Sequence, residues 1–177
     1  FYFDKDTKTI TKYVGTATNV VIPSEINGVQ VRCIDSGVFM NCDTIKSVEI
    51  PEGVISIGNF AFRGCKLLDV IKVPKSVIFI GYEAFDDTPY LEKSYDINGF
   101  AIINNILCKY KEQSDVTEVT VPSDVVSISG GAFNKCPNIK SVVVQEGVTT
   151  IGERTFENCT SLKSVKLPSS ITNIGIS

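Results

Sequence analysis

Histidine and tryptophan are both absent from this sequence of 177 residues. Without histidine, the chain lacks the only side chain whose ordinary pKa lies near neutrality. Ser-His-Asp and Cys-His nucleophile pairs are excluded, and so is the commonest metal ligand. We therefore expect a protein that is not an enzyme and that holds no cofactor.

A surplus of positive charge is also missing, because 17 lysines and arginines face 20 aspartates and glutamates, a net charge of −3. Binding to nucleic acid or to anionic membranes is driven largely by clustered positive charge. No apolar run approaches the length of about 20 residues that spans a bilayer. We expect neither a nucleic-acid partner nor direct membrane insertion. A hydrophobic content of 43% and a charged content of 21% are typical of a folded globular chain.

A pattern of apolar residues recurs every 23 residues, with one interval of 48. The unit has the form Leu-x-x-Val-x-Ile-Pro-x-x-Val-x-x-Ile-Gly-x-x-Ala-Phe-x-x-Cys. Its phenylalanines are Phe39, Phe62, Phe85, Phe133 and Phe156. A unit this short does not bury a core alone, so each must stack on the next. The sequence predicts a repeat solenoid.

Each part of the unit predicts a local structure. The alternating, β-branched stretch before the proline predicts a short strand that the proline ends. The Ile-Gly step predicts a turn in which glycine takes a positive φ, and Ala-Phe-x-x-Cys predicts a helical or 3₁₀ turn. Successive strands should lie parallel, about 4.8 Å apart. We expect the five phenylalanines to form one continuous buried column, and the following prolines to stack in register: Pro51, Pro74, Pro122 and Pro168.

Two stretches break the repeat, and both predict β-hairpins. The first occupies residues 1–16 around the polar turn Asp4–Lys8, and the second occupies 92–112 around Asn104-Asn105, where asparagine tolerates the left-handed conformation of tight hairpin turns. The hairpins should cap and interrupt a single solenoid domain, 1–177, with repeat blocks at 17–91 and 113–177. An insertion near Asn27-Gly28 predicts a further turn. Since the last copy stops after Gly175 without a visible cap, we expect more repeats or another domain to follow in a longer chain.

The copy that runs from Ile45 through Pro51, Gly58 and Phe62 to Cys65 resembles the BspA-like class of leucine-rich repeats. The resemblance extends from Val20 to Gly175 apart from the irregular middle. It implies a right-handed superhelix with parallel strands on one face and short helical or 3₁₀ turns on the other. It also implies a bacterial or protist surface protein, extracellular and used for adhesion or protein recognition, and it implies no catalytic residue.

Four cysteines occupy one repeat position, three residues after the phenylalanine: Cys42, Cys65, Cys136 and Cys159. Equivalent atoms of stacked coils lie about 4.8 Å apart, farther than the Cβ separation of about 3.8 Å in a disulfide. We expect these thiols to be reduced and buried. Zinc is disfavoured because the spacing brings only two ligands together, and the acidic turn near Asp4 is a poor calcium loop because Lys8 stands where an oxygen ligand is needed.

The residues that alternate with the core positions of the predicted strands should point outward and form a concave sheet face. We call these twelve residues the strand face. They are Asn19, Val21, Ser47, Glu49, Val70, Lys72, Glu118, Thr120, Ser141, Val143, Ser164 and Lys166. They carry no aromatic stripe and no charge of a single sign. They are either a solvated sheet surface, as in any half-buried sheet, or a broad surface for binding protein.

The sequence is compatible with three functions. The first is a non-catalytic recognition module of a cell-surface or secreted protein, with a host or cell-surface protein as partner. The second is a structural spacer. The third is an accessory domain of a larger secreted enzyme whose active site lies elsewhere.

Overall fold

Short strands recur along the chain at the spacing of the sequence repeat. The computed structural model describes residues 1–176. The chain divides into two compact units, the first spanning Phe1–Lys93 and the second beginning at Ser94. Each unit is described by itself.

The first unit opens with a hairpin and continues as stacked coils. Its elements are β1 (Tyr2–Asp4), β2 (Thr9–Lys12), β3 (Asn19–Val21), β4 (Glu25–Ile26), β5 (Val29–Gln30), β6 (Cys33–Ile34), β7 (Ser47–Glu49), β8 (Ser56–Ile57), β9 (Val70–Lys72) and β10 (Phe79–Ile80), and the helix α1 (Pro89–Ser94) begins at its end. Strands β3, β7 and β9 form a parallel three-stranded sheet, which we call the face sheet. A second sheet has the order β1-β2-β6-β8-β10, and every pair after the hairpin is parallel.

The second unit repeats this plan. Its strands are β11 (Phe100–Ile103), β12 (Ile106–Tyr110), β13 (Glu118–Thr120), β14 (Ser127–Ile128), β15 (Ser141–Val143), β16 (Thr150–Ile151), β17 (Ser164–Lys166) and β18 (Asn173–Ile174). The face sheet of this unit is β13-β15-β17, all parallel. The second sheet is β11-β12-β14-β16-β18, in which β11 and β12 are the antiparallel hairpin. The predicted solenoid of parallel strands with β-hairpins is confirmed.

The second sheet in each unit was not predicted from the sequence. Its repeat strands are only two residues long, and several lie just before the glycine of the Ile-Gly step, as at Ser56–Ile57 and Thr150–Ile151. Each coil therefore contributes two strands, and its core lies between two sheets and the turn that carries the phenylalanine.

Alternation explains the face-sheet strands. The central residue of each is buried or partly buried, while its two neighbours are exposed or partly exposed, as in β7, where Val48 is buried and Glu49 is exposed. Pro51, Pro74, Pro122 and Pro168 each lie two residues beyond a face strand, where proline cannot continue the hydrogen-bond ladder.

The predicted hairpin turns are present. Asn104 and Asn105 have φ values of 50° and 61°, and the insertion forms a third hairpin, β4–β5, with Asn27 at 52° and Gly28 at 77°. Two successive residues with positive φ give the turn twist that matches paired strands.

The glycine of the Ile-Gly step has a different role from the one predicted. Positive φ values occur at other glycines, but Gly58, Gly81 and Gly152 have none. A Cβ on these residues would lie 2.6, 2.6 and 2.2 Å from a backbone nitrogen of the preceding coil. Glycine is needed here because adjacent coils approach too closely for any side chain.

The Ala-Phe-x-x-Cys segments form a series of tight turns. Within one coil the Cys65 amide donates to the Phe62 carbonyl (3.2 Å), and between coils the Phe62 amide donates to the Ala84 carbonyl (2.8 Å). The residues two before and two after each phenylalanine are left-handed. These are Gly37, Asn41, Phe60, Gly64, Glu83, Asp87, Gly131, Lys135, Arg154 and Asn158.

Within each unit the predicted stacking of the phenylalanine rings is present. In the first unit the Phe62 ring stacks on Phe39 (4.9 Å between centroids) and on Phe85 (5.7 Å). In the second unit Phe133 lies between Phe156 (5.4 Å) and Tyr110 of the hairpin (5.3 Å). In this unit the hairpin tyrosine thus packs on Phe133 on the side opposite Phe156. Phe156 is also only partly buried, because a single coil follows it in the described residues.

Candidate functional site

The strand-face residues of each unit lie in two rows across its face sheet. In the first unit Asn19, Ser47 and Val70 are aligned in one row by the strand register, and Val21, Glu49 and Lys72 in the other. All six line one shallow depression of about 240 Å³. These side chains lie together because strand residues two apart share a side of the sheet.

Polar contacts link neighbouring rungs of this face. The Ser47 hydroxyl donates to the Asn19 side-chain oxygen at 2.8 Å, and Lys72 Nζ lies 3.2 Å from Glu49 Oε2. The ion pair is exposed and adds little stability, but it neutralises both charges locally. Val21 and Val70 remain 66% and 50% exposed, which leaves two apolar side chains beside a neutralised pair.

The second unit aligns its six strand-face residues in the same way. The strand register aligns Glu118, Ser141 and Ser164 in one row. It aligns Thr120, Val143 and Lys166 in the other row. Glu118 and Thr120 also line a pocket of about 300 Å³ that reaches the hairpin residues Asn98, Phe100 and Tyr110. Among the strand-face residues of this unit, the one acidic side chain is Glu118 on strand β13, and the one basic side chain is Lys166 on strand β17 at the other edge.

The pocket beside the hairpin was not predicted from the sequence. Of its further lining residues, Gln113 directly follows the stretch that breaks the repeat, and Val116 and Pro122 belong to the repeat copy after it. A repeat pattern describes equivalent coils, so it carries no information on the space left where one coil is replaced by a hairpin. The irregular interval of 48 residues is the one sequence signal that marks the place.

The cysteines offer little chemistry. All six are free, but burial differs from the prediction: Cys65 and Cys136 are buried, whereas Cys42 and Cys159 are partly exposed, since they belong to the first and last of the repeat turns. Burial raises the pKa of Cys65 to about 11 and that of Cys136 to about 12. The Cys65 thiol donates to the Phe39 carbonyl at 2.9 Å. Such thiols are poor nucleophiles near neutral pH.

Within residues 1–176, no group of three or more acidic, cysteine or histidine side chains could hold a metal ion. In the acidic turn, Asp4 Oδ1 accepts hydrogen bonds from the amides of Asp6 (2.8 Å) and Thr7 (3.2 Å). These hydrogen bonds hold the pKa of Asp4 below its usual value, and the bond from the Thr7 amide has the largest effect. The carboxylate thus organises the hairpin turn.

No helix in the described part of the chain is long and apolar enough to cross a bilayer.

Comparison with known proteins gives a family match over most of the chain. The model of the BspA type leucine rich repeat region, in six copies, matches residues 32–105 and 102–177. None of the curated proteins matches the sequence.

Several solved structures have a similar fold. The leucine-rich repeat protein of T. pallidum is 27% identical, with 98% of this chain and 81% of that chain covered and a TM-score of 0.57. The pneumococcal vaccine antigen PcpA is 18% identical, with 99% of this chain and 61% of that chain covered and a TM-score of 0.42. A leucine-rich cell surface protein from Faecalibacterium prausnitzii is 21% identical, with 97% and 75% covered and a TM-score of 0.41.

Proposed function

Because the chain belongs to the BspA-type leucine-rich repeat family, we propose that it is a non-catalytic recognition module of a cell-surface or secreted protein. Its partner is a protein, and its binding surface is the strand face. Repeat proteins of this kind present an extended, rigid surface built from equivalent positions of successive coils.

One observation carries the proposal. In the first unit all six strand-face side chains line a single depression, and they combine two exposed valines with a neutralised Glu49–Lys72 pair. A surface that combines apolar side chains with charged groups of both signs is better suited to binding a protein than a polyanion, because a polyanion requires a positively charged surface.

A binding experiment with two matched variants tests the proposal. Beads coated with the protein are exposed to cells before and after the cell-surface proteins are removed by protease. A strand-face variant carries Val21→Glu and Val70→Glu. A control variant carries Ile78→Glu and Phe79→Glu, which place the same charge on side chains 70% and 45% exposed in and beside strand β10 of the second sheet.

We expect protease-sensitive binding that the strand-face variant loses and the control variant keeps. Equal binding by both variants would place the recognition surface elsewhere. Protease-insensitive binding, or none, would refute protein recognition and leave the spacer function.

A further inference from the structure

The second hairpin leaves the face sheet of its unit one strand short. Strand β12 pairs in parallel with β14, so the hairpin supplies a strand to the second sheet. The face sheet, in contrast, begins at β13, whose partner within the sheet is β15. Strand β13 is therefore an edge strand.

The edge of β13 presents backbone hydrogen-bonding groups. The Val121 amide donates to the Val143 carbonyl (2.9 Å), and the Thr117 carbonyl accepts from the Ser141 amide (3.1 Å), so these residues bond toward β15. Because successive residues of a strand direct their backbone groups to opposite sides, the N–H and C=O groups of Glu118 and Thr120 point away from β15. This is the template to which another strand adds.

The pocket of about 300 Å³ lies beside this edge, and its lining suits one kind of side chain. Val116 and Pro122 provide apolar wall, and Glu118 is the one ionisable acid among the lining residues, which include no lysine or arginine. The Gln113 side-chain nitrogen donates to the Ile97 carbonyl (3.1 Å), which leaves the Gln113 amide oxygen as an acceptor. An alkyl stem that ends in a cation matches this combination.

We propose that an extended segment of a partner protein adds as a strand to the edge of β13 and places a lysine or arginine side chain in this pocket. The main-chain hydrogen bonds supply affinity, and the ion pair with Glu118 supplies specificity. The inference rests on the proposed function in that the partner is a protein, but it names a site at the edge of the face sheet rather than on its surface.

A display experiment tests this site. A phage library of short random peptides is selected on the wild-type protein, and the enriched peptides are synthesised and titrated by calorimetry. Thr120→Pro removes an edge N–H that the sheet does not use, and proline is tolerated at such edge positions. Glu118→Lys reverses the pocket charge without touching the backbone. Glu52→Lys is the matched control, because it makes the same charge reversal at an exposed residue that belongs neither to the strand face nor to the pocket lining.

We expect enriched peptides that carry a basic residue, with affinity reduced at least about tenfold by either Thr120→Pro or Glu118→Lys and changed less than about twofold by Glu52→Lys. If Thr120→Pro unfolds by circular dichroism, Glu118→Lys decides alone. The inference fails if no peptide is enriched, or if the enriched peptides bind Glu118→Lys as tightly as wild type. Peptides that instead lose binding with Val21→Glu and Val70→Glu would uphold the strand-face function while refuting this edge site.

Discussion

Replacing Phe62 by alanine is the most direct way to measure what the stacked phenylalanine column contributes. Phe62 has no exposed surface, and its ring lies between two others at 4.9 and 5.7 Å, with interplanar angles of 8° and 13°. Truncation of a core phenylalanine costs about 3 to 5 kcal/mol in transfer energy and cavity formation. Loss of two ring pairs, each contributing about 0.5 to 1.5 kcal/mol, places the expected loss toward the upper end, about 4 to 5 kcal/mol.

Urea unfolding followed by circular dichroism measures this loss. Phe79→Ala is the control, since Phe79 is 45% exposed on strand β10 and its truncation should cost less than about 1 kcal/mol. A loss below about 1 kcal/mol for Phe62→Ala, or equal losses for the two variants, would refute the idea that the column holds the coils together.

Three further predictions concern the turns and the thiols. Gly152→Ala should lower the free energy of unfolding by about 2 to 3 kcal/mol, because the added Cβ would lie 2.2 Å from the backbone of the preceding coil. Gly28→Ala is the control for thermal unfolding: the added Cβ meets open space, but the φ of 77° should still cost about 1 kcal/mol. Lys135→Gly should stabilise by about 0.5 to 1 kcal/mol, since lysine is exposed and left-handed there (φ 64°); a loss of stability would contradict this. Cys65 and Cys136 should react with a thiol reagent at pH 8 only after the protein unfolds, and rapid labelling of both in the native protein would contradict their burial. The free energy of unfolding should fall as the pH rises from 9 toward 11, because these thiols ionise at lower pH in the unfolded chain than in the folded one.

The parts of the fold that repeat were predictable from the sequence. Alternation around Val48 and its equivalents, together with the prolines, located the face strands. The hairpin turn at Asn104-Asn105 was predictable because asparagine there signals a left-handed backbone.

The parts that depend on contacts between coils were not predictable. Gly58 was expected to turn the chain, but it is required by the approach of a neighbouring backbone, which no local pattern reveals. The strands of the second sheet are too short to show alternation. Tyr110 continues the aromatic column from outside the repeat, and its role emerges only when the hairpin is folded onto Phe133.

A substitution scan of the whole surface tests the central claim, that recognition resides in the strand face. The chain is displayed on yeast with single substitutions at every exposed position, sorted for folding with a conformational antibody, and then sorted for binding to intact cells whose surface proteins are present. The account predicts that substitutions which abolish binding but preserve folding fall on the strand face and on the adjoining edge of β13. Loss of binding that maps instead to the phenylalanine turns or to the second sheet would contradict it.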